Sequence, residues 1–161
     1  TTKENTSPFF QNIDQIGVSQ KVTVQKTDFS FAKTMNALVY VLAGIECKKG
    51  SYDNLIILNN QGQIAETVSS NLFWVKNDTF FTPSLATGCI DGVMRKFVIQ
   101  QLNQAKIEVK EVSEPTSTLY QANALFLTNA AGITFVKGFE GQKEFENNVD
   151  LKELLKPQLL P

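Results

Sequence analysis

Apolar and polar positions recur with clear periods along most of the chain, and the periods predict its elements. Residues 21–31 (KVTVQKTDFSF) alternate, with Val22, Val24, Phe29 and Phe31 apolar, which predicts one or two strands. Over residues 34–49 the period becomes helical. Met35, Leu38, Val39, Leu42 and Ile45 form one stripe, Lys48 and Lys49 suit the negative end of the helix dipole, and Gly50 can close the helix. A short strand is predicted over 55–58, a tight turn at Asn59-Asn60-Gln61-Gly62, and a second strand over 63–67. Residues 71–75 and 79–82 read as a hairpin around Lys76-Asn77-Asp78. After a loop over 83–90, Asp91 is placed to cap a helix over 93–104 whose Val93, Met94, Phe97, Val98 and Leu102 share a face. Strands follow over 107–112, 125–128 and 133–139, with short helices over 116–124 and 150–155.

The first twenty residues are polar with weak periodicity. They read as a linker or the trimmed edge of another domain, leaving 21–161 as the folded unit. Many strands with three or four helices, in no strict strand–helix alternation, predict a mixed α/β domain rather than a simple doubly wound sheet. A chain of 161 residues is long enough to bury one sizeable core.

Composition narrows the chemistry. A formal net charge of −1 supplies no Lys/Arg excess to neutralise phosphates, so a basic nucleic-acid module is excluded. The chain contains no histidine, which removes Ser-His-Asp and Cys-His catalysis and His-ligated metal sites together. Acid–base work must come from lysine, carboxylates or a cofactor. Cys47 and Cys89 are far apart and form no C-x-x-C motif. Two buried thiols in a reducing compartment, or one disulfide, both fit that spacing. The longest apolar stretch, residues 37–45, is too short to span a membrane, and the default expectation is a cytoplasmic protein.

Four features carry possible chemistry beside a plain structural role. Lys33 stands at a strand-to-helix junction just after Phe29 and Phe31. A lysine held among apolar groups becomes a neutral nucleophile more easily than a solvated one, and Schiff-base chemistry with an aldehyde cofactor needs such an amine and no histidine. Glu66 ends a strand; it is either a turn carboxylate or an anionic partner for a protonated heterocyclic nitrogen. Gly92-Val93-Met94 opens a helix whose free amides could hold a phosphate, although Asp91 would compete with the anion there. Arg95, the only arginine, either bridges two segments or is a solvated helix residue. Thr128-Asn129-Ala130-Ala131-Gly132 lies between two strands, as a turn or as a polar wall for a substrate carboxylate.

Taken in order, these features resemble a known family. FAKTMN at 31–36, LIILN-x-x-G-x-I-x-E at 55–66, ETVSSNLFWVKNDTFFTPSLATGCIDGVMR at 66–95 and ANALFLTNAAGI at 122–133 are similar to the class IV, or fold-type IV, pyridoxal-phosphate enzymes. That family includes branched-chain aminotransferases, D-amino-acid aminotransferases and aminodeoxychorismate lyases. The resemblance implies the C-terminal large domain of such an enzyme, with a strand-rich, barrel-like sheet and flanking helices. It implies pyridoxal 5'-phosphate as cofactor and Lys33 as the lysine that joins its aldehyde and moves the substrate proton. Glu66 then binds the pyridine nitrogen, and the backbone amides of Val93 and Met94 hold the phosphate. The loop of Asn129, Ala130 and Ala131 closes beside the phosphate and the substrate carboxylate.

Departures from the family pattern shape the choice of activity. Met94 stands where the family commonly has threonine, Ala130 offers no hydroxyl, and Ala37 follows Asn36 where branched-chain aminotransferases often place tyrosine. The loop over 128–133 is one residue short, and its Thr-Asn opening is more like the lyase branch. The expectation is therefore 4-amino-4-deoxychorismate lyase, which eliminates pyruvate to give p-aminobenzoate. A branched-chain or D-amino-acid transaminase is the alternative, and a non-catalytic remnant domain is the reading from another class. Nothing before Phe29 resembles the smaller N-terminal domain of the family, so that domain is expected in a longer polypeptide, and a homodimer is the expected assembly.

Overall fold

The computed structural model describes residues 9–146, and the helix expected over 150–155 lies outside them. Strand β1 (Phe10–Val24) leads to helix α1 (Leu38–Lys49), then β2 (Asn54–Asn59), β3 (Ile64–Thr67), β4 (Asn71–Lys76) and β5 (Thr79–Pro83). Helix α2 (Val93–Gln104) follows, then β6 (Val109–Val112), β7 (Ala124–Asn129), β8 (Gly132–Phe139) and β9 (Lys143–Glu144). Short 3-10 segments occupy Leu85–Thr87 and Thr116–Gln121, the second where a short helix was expected.

The strands form one mixed sheet in the order β3-β2-β1-β8-β7-β4-β5-β6, with β9 added to β8. β1 runs parallel to both its neighbours, β2 and β8. The sheet curls until its ends approach. At the β3 edge the Ile64 N–H donates to the Glu114 carbonyl (2.8 Å) and Gln63 bridges Pro115, just past β6 at the far edge. The result is a half-barrel with flanking helices, the mixed α/β class that the sequence predicts.

Two-residue alternation sorts the core. Phe73 and Val75 of β4, with Phe126 of β7, pack with Val98 and Leu102 of α2. Phe73 and Phe126 are directly paired across the strands and stack with ring centroids 5.1 Å apart. The intervening Leu72, Trp74, Leu125 and Leu127 join Ile16, Ile56 and Phe139 on the other side of the sheet. Ala43 of α1 closes a third cluster with Val24, Ile57 and Ala65.

Three expectations are corrected. The boundary at residue 20 falls inside β1, because residues 10–16 are held by backbone pairing with β8 and residues 16–18 by pairing with β2, and such pairing needs no strict apolar alternation. Most polar side chains over 10–20 face outward, with Asp14 paired with Lys137 at 2.6 Å, while Ser19 is buried and its hydroxyl donates to Glu46. The strand expected over 21–31 ends at Val24, and residues 27–30 form a turn in which the Ser30 hydroxyl donates to the Thr27 carbonyl (3.0 Å). Helix α1 starts at Leu38, not at residue 34: the Asn36 N–H donates to Thr34 Oγ1 (3.3 Å), a local bond that competes with helix formation. Of the apolar stripe expected to seat this helix, Leu42, Ile45, Leu38 and Met35 are exposed, from 43% to 99%, and only its Val39 packs, together with Ala43.

Candidate functional site

A cavity of about 670 Å³ opens where four connections meet. They are the segment before α1, the β3–β4 turn, the start of α2 and the β7–β8 turn. All seven residues predicted from the sequence, Lys33, Glu66, Val93, Met94, Asn129, Ala130 and Ala131, line it.

Glu66 is 3% exposed, and both its oxygens are engaged. The Tyr40 hydroxyl donates to Oε1 at 2.6 Å, and the Ile90 N–H donates to Oε2 at 3.2 Å. Burial pushes the carboxyl above the ordinary glutamate range, while these two donors and the positive charge of Lys33 pull it back part of the way. Burial, and then the Glu66 charge, push the Tyr40 phenol well above its ordinary value, so it remains a donor across the physiological range.

The other connections are tied together by short polar bonds. The Asp91 N–H donates to the Phe31 carbonyl (2.8 Å), fastening the segment that carries Lys33 to the loop before α2. Asn71 Nδ2 donates to the Ile90 carbonyl (2.7 Å), and Asn129 Nδ2 donates to Ser70 Oγ (2.9 Å), joining the two turns. Lys33 itself is exposed. Phe29 and Phe31, expected to cover it, are 74% and 48% exposed, so the apolar shelter predicted for the amine is not supplied by the described residues.

The start of α2 corrects the expected cap. Gly92, not Asp91, takes the capping position, and no side chain bonds the first amides. Asp91 is drawn along the helix instead, to Arg95 Nη1 (3.2 Å) and Lys96 Nζ (3.5 Å), so it does not compete for an anion at the Val93 and Met94 amides. Arg95 is the bridge and not the solvated residue: it is 2% exposed, and its Nη2 reaches the Pro83 carbonyl (2.9 Å) and Glu111 (2.5 Å). In the loop before α2, Cys89 is buried, with its thiol pushed up to about 11 chiefly by burial, and both cysteines are free thiols.

Residues 5–139 match the family model for class IV aminotransferases. The chain belongs to the class IV aminotransferase family. It is 31% identical over 119 residues to the aminodeoxychorismate lyase of Vibrio harveyi, covering 73% of this chain and 43% of that protein. It is 34% identical over 107 residues to the branched-chain-amino-acid aminotransferase of Escherichia coli K12, covering 66% of this chain and 35% of that protein. The solved branched-chain amino acid aminotransferase of Escherichia coli superposes with a TM-score of 0.79 at 30% identity, over 88% of this chain and 48% of that one. The chain thus spans less than half the length of these curated relatives. Pyridoxal phosphate is the cofactor of the class IV aminotransferases.

This class IV aminotransferase chain brings further residues to the cavity that periodicity did not single out. Tyr40 was hidden as one more helix residue; its signal is a polar-tipped aromatic beside Val39 on the side that packs. Thr128 lines the cavity with its Oγ1 buried and without a partner among the described residues. Asn71 is the residue that makes Gly92 necessary. A Cβ on Gly92 would lie 2.2 Å from Asn71 Oδ1, although the glycine backbone itself is ordinary at φ −63°. Gly92→Ala is therefore expected to cost about 1–3 kcal/mol through overpacking and to loosen the start of α2, measured as a lower urea midpoint at unchanged slope.

Proposed function

We propose that the full-length protein is a pyridoxal-phosphate enzyme acting on an amino-acid-like substrate, with 4-amino-4-deoxychorismate lyase as the favoured activity. The observation that carries this is the convergence of an amine, a buried carboxylate and uncapped helix amides on one cavity. Each suits a different part of the cofactor. Lys33 suits the aldehyde, Glu66 the pyridine nitrogen, and the Val93 and Met94 amides the phosphate. The unpartnered Thr128 hydroxyl answers for the one that Met94 and Ala130 lack. When bound, pyridoxal phosphate supplies an electron-withdrawing ring that stabilises negative charge at the substrate α-carbon.

The chain's own groups do the rest. Glu66, held by Tyr40 and Ile90, presents a negative charge that keeps the ring nitrogen protonated. Lys33 Nζ accepts the α-proton and delivers a proton back. Asn129, braced on Ser70, orients the loop that faces the substrate carboxylate. A preceding domain of the same polypeptide and a second subunit cover the exposed Phe29, Phe31, Met35 and Leu38 near Lys33 and complete the pocket wall. The Thr128-Asn129 opening favours the lyase, whereas the 34% identity to branched-chain aminotransferases favours a transaminase.

The assay that separates them uses the full-length protein. Pyruvate and p-aminobenzoate formed from aminodeoxychorismate without any keto-acid acceptor support the lyase. Turnover only with leucine plus 2-oxoglutarate replaces it with the transaminase. A colourless protein that takes up no pyridoxal phosphate overturns both.

A further inference from the structure

We propose that Tyr40 is the positioning residue of Glu66, its hydroxyl fixing the orientation of the carboxylate and favouring the charged form. The inference rests on the reading of Glu66 as the partner of a pyridine nitrogen. Its geometric basis is independent of that reading.

Three observations support it. The Tyr40–Glu66 contact at 2.6 Å is in the range of a short O–H to carboxylate bond, and the second donor to Glu66, the Ile90 N–H, is longer at 3.2 Å. Glu66 is buried in β3 at the edge of the cavity, so without a strong donor its charge is opposed by desolvation. Tyr40 is on a different element, α1, which begins five residues after Lys33. One helix thus ties the placement of the carboxylate to the segment carrying the amine.

The charged and titratable groups around Glu66 leave this assignment to Tyr40. Lys33, from the segment before α1, acts on it through charge and is exposed. Cys89, from the loop before α2, faces both Tyr40 and Glu66, but burial keeps its thiol protonated. Arg95 and Asp91 lie beyond Cys89 and are engaged with each other. A phenol at Tyr40 gives Glu66 a donor that does not itself ionise near neutrality, so the hold on the carboxylate is constant while Lys33 changes its own protonation during turnover.

The test has one arm without cofactor and one with it. Full-length protein freed of cofactor is titrated by infrared spectroscopy, with the Glu66 carboxylic-acid band identified by its loss in Glu66→Gln. In Tyr40→Phe the midpoint is expected to rise by about one pH unit, the effect of losing a hydrogen bond to a charged group. Difluorotyrosine at position 40, which keeps ring and hydroxyl and strengthens the donor, is expected to lower it. This second substitution also serves if Tyr40→Phe folds poorly.

In the other arm, Tyr40→Phe weakens pyridoxal-phosphate binding about tenfold in the otherwise native protein and less than about twofold in Glu66→Gln, because the phenol acts through the carboxylate charge. An unmoved infrared midpoint overturns the proposal, and so do equal losses of affinity in the two backgrounds. If the native protein takes up no pyridoxal phosphate, the reading of the site fails, while the infrared arm still decides the link between Tyr40 and Glu66.

Discussion

Lys33→Ala is expected to lower turnover of the full-length protein by about 10³-fold and to abolish the attachment of pyridoxal phosphate that borohydride fixes in place. The substitution removes one of two amines lining the cavity; the other, Lys96, is paired with Asp91 at 3.5 Å, and Glu66 is buried and committed to two donors. Its exposure makes the result interpretable. Lys33 is exposed, so the change to alanine should leave stability within about 0.5 kcal/mol, and an unchanged urea midpoint then separates lost activity from unfolding. A small primary amine added to the variant should restore part of the turnover, since the cavity left by the side chain opens to solvent. Peptide mass mapping after borohydride reduction checks the assignment. A cofactor fixed to another lysine in the variant, or a visible band that survives unchanged, refutes it.

The parts of the fold legible in the sequence are those in which one side chain in two, or one in three to four, meets the core. β4 and β7 are clear because Phe73, Trp74 and Phe126 each have a face to fill, and α2 is clear because Val98 and Leu102 pack under it. The start of β1 was hidden because backbone pairing with β8 holds it, with only Phe10, Ile13 and Ile16 as apolar anchors. Helix α1 misled in the opposite way: its widest apolar stripe, Leu38, Leu42 and Ile45, is not the surface that packs in the described chain.

The same division holds at the site. Lys33, Glu66 and the start of α2 could be found because their residue types and order match a family motif. The contacts that hold them could not, because Tyr40 and Glu66 are 26 residues apart and nothing in their spacing states that a helix will lay one on the other. Asn71 likewise shows its role only through the 2.2 Å that separates it from a side chain Gly92 does not have. Arg95 posed two alternatives in the sequence, and only burial decides between them.

Arg95→Leu is expected to destabilise the protein by about 3 kcal/mol and to weaken phosphate binding at the start of α2 about fivefold, through two separable routes. The first is loss of the bridge. Arg95 joins α2 to the Pro83 carbonyl at the end of β5 and to Glu111 of β6, and removing it strands that carbonyl and Glu111 and leaves Asp91 with Lys96 alone. Removing one partner of a buried pair typically costs about 3–5 kcal/mol. The low end applies because the side chains of Asp91 and Glu111 are 22% and 47% exposed and recover water. The second route is Asp91. Freed from the guanidinium, its carboxylate can turn back to the amides at the start of α2, where a capping acid contributes about 1 kcal/mol and opposes an incoming anion. The routes part in Asp91→Asn/Arg95→Leu, which should recover phosphate affinity and remain unstable. Urea midpoints and inorganic-phosphate titration of the single and double variants measure the two effects. Equal loss of affinity in both variants would eliminate the Asp91 route, and an unchanged midpoint in Arg95→Leu would show that the bridge contributes nothing to stability.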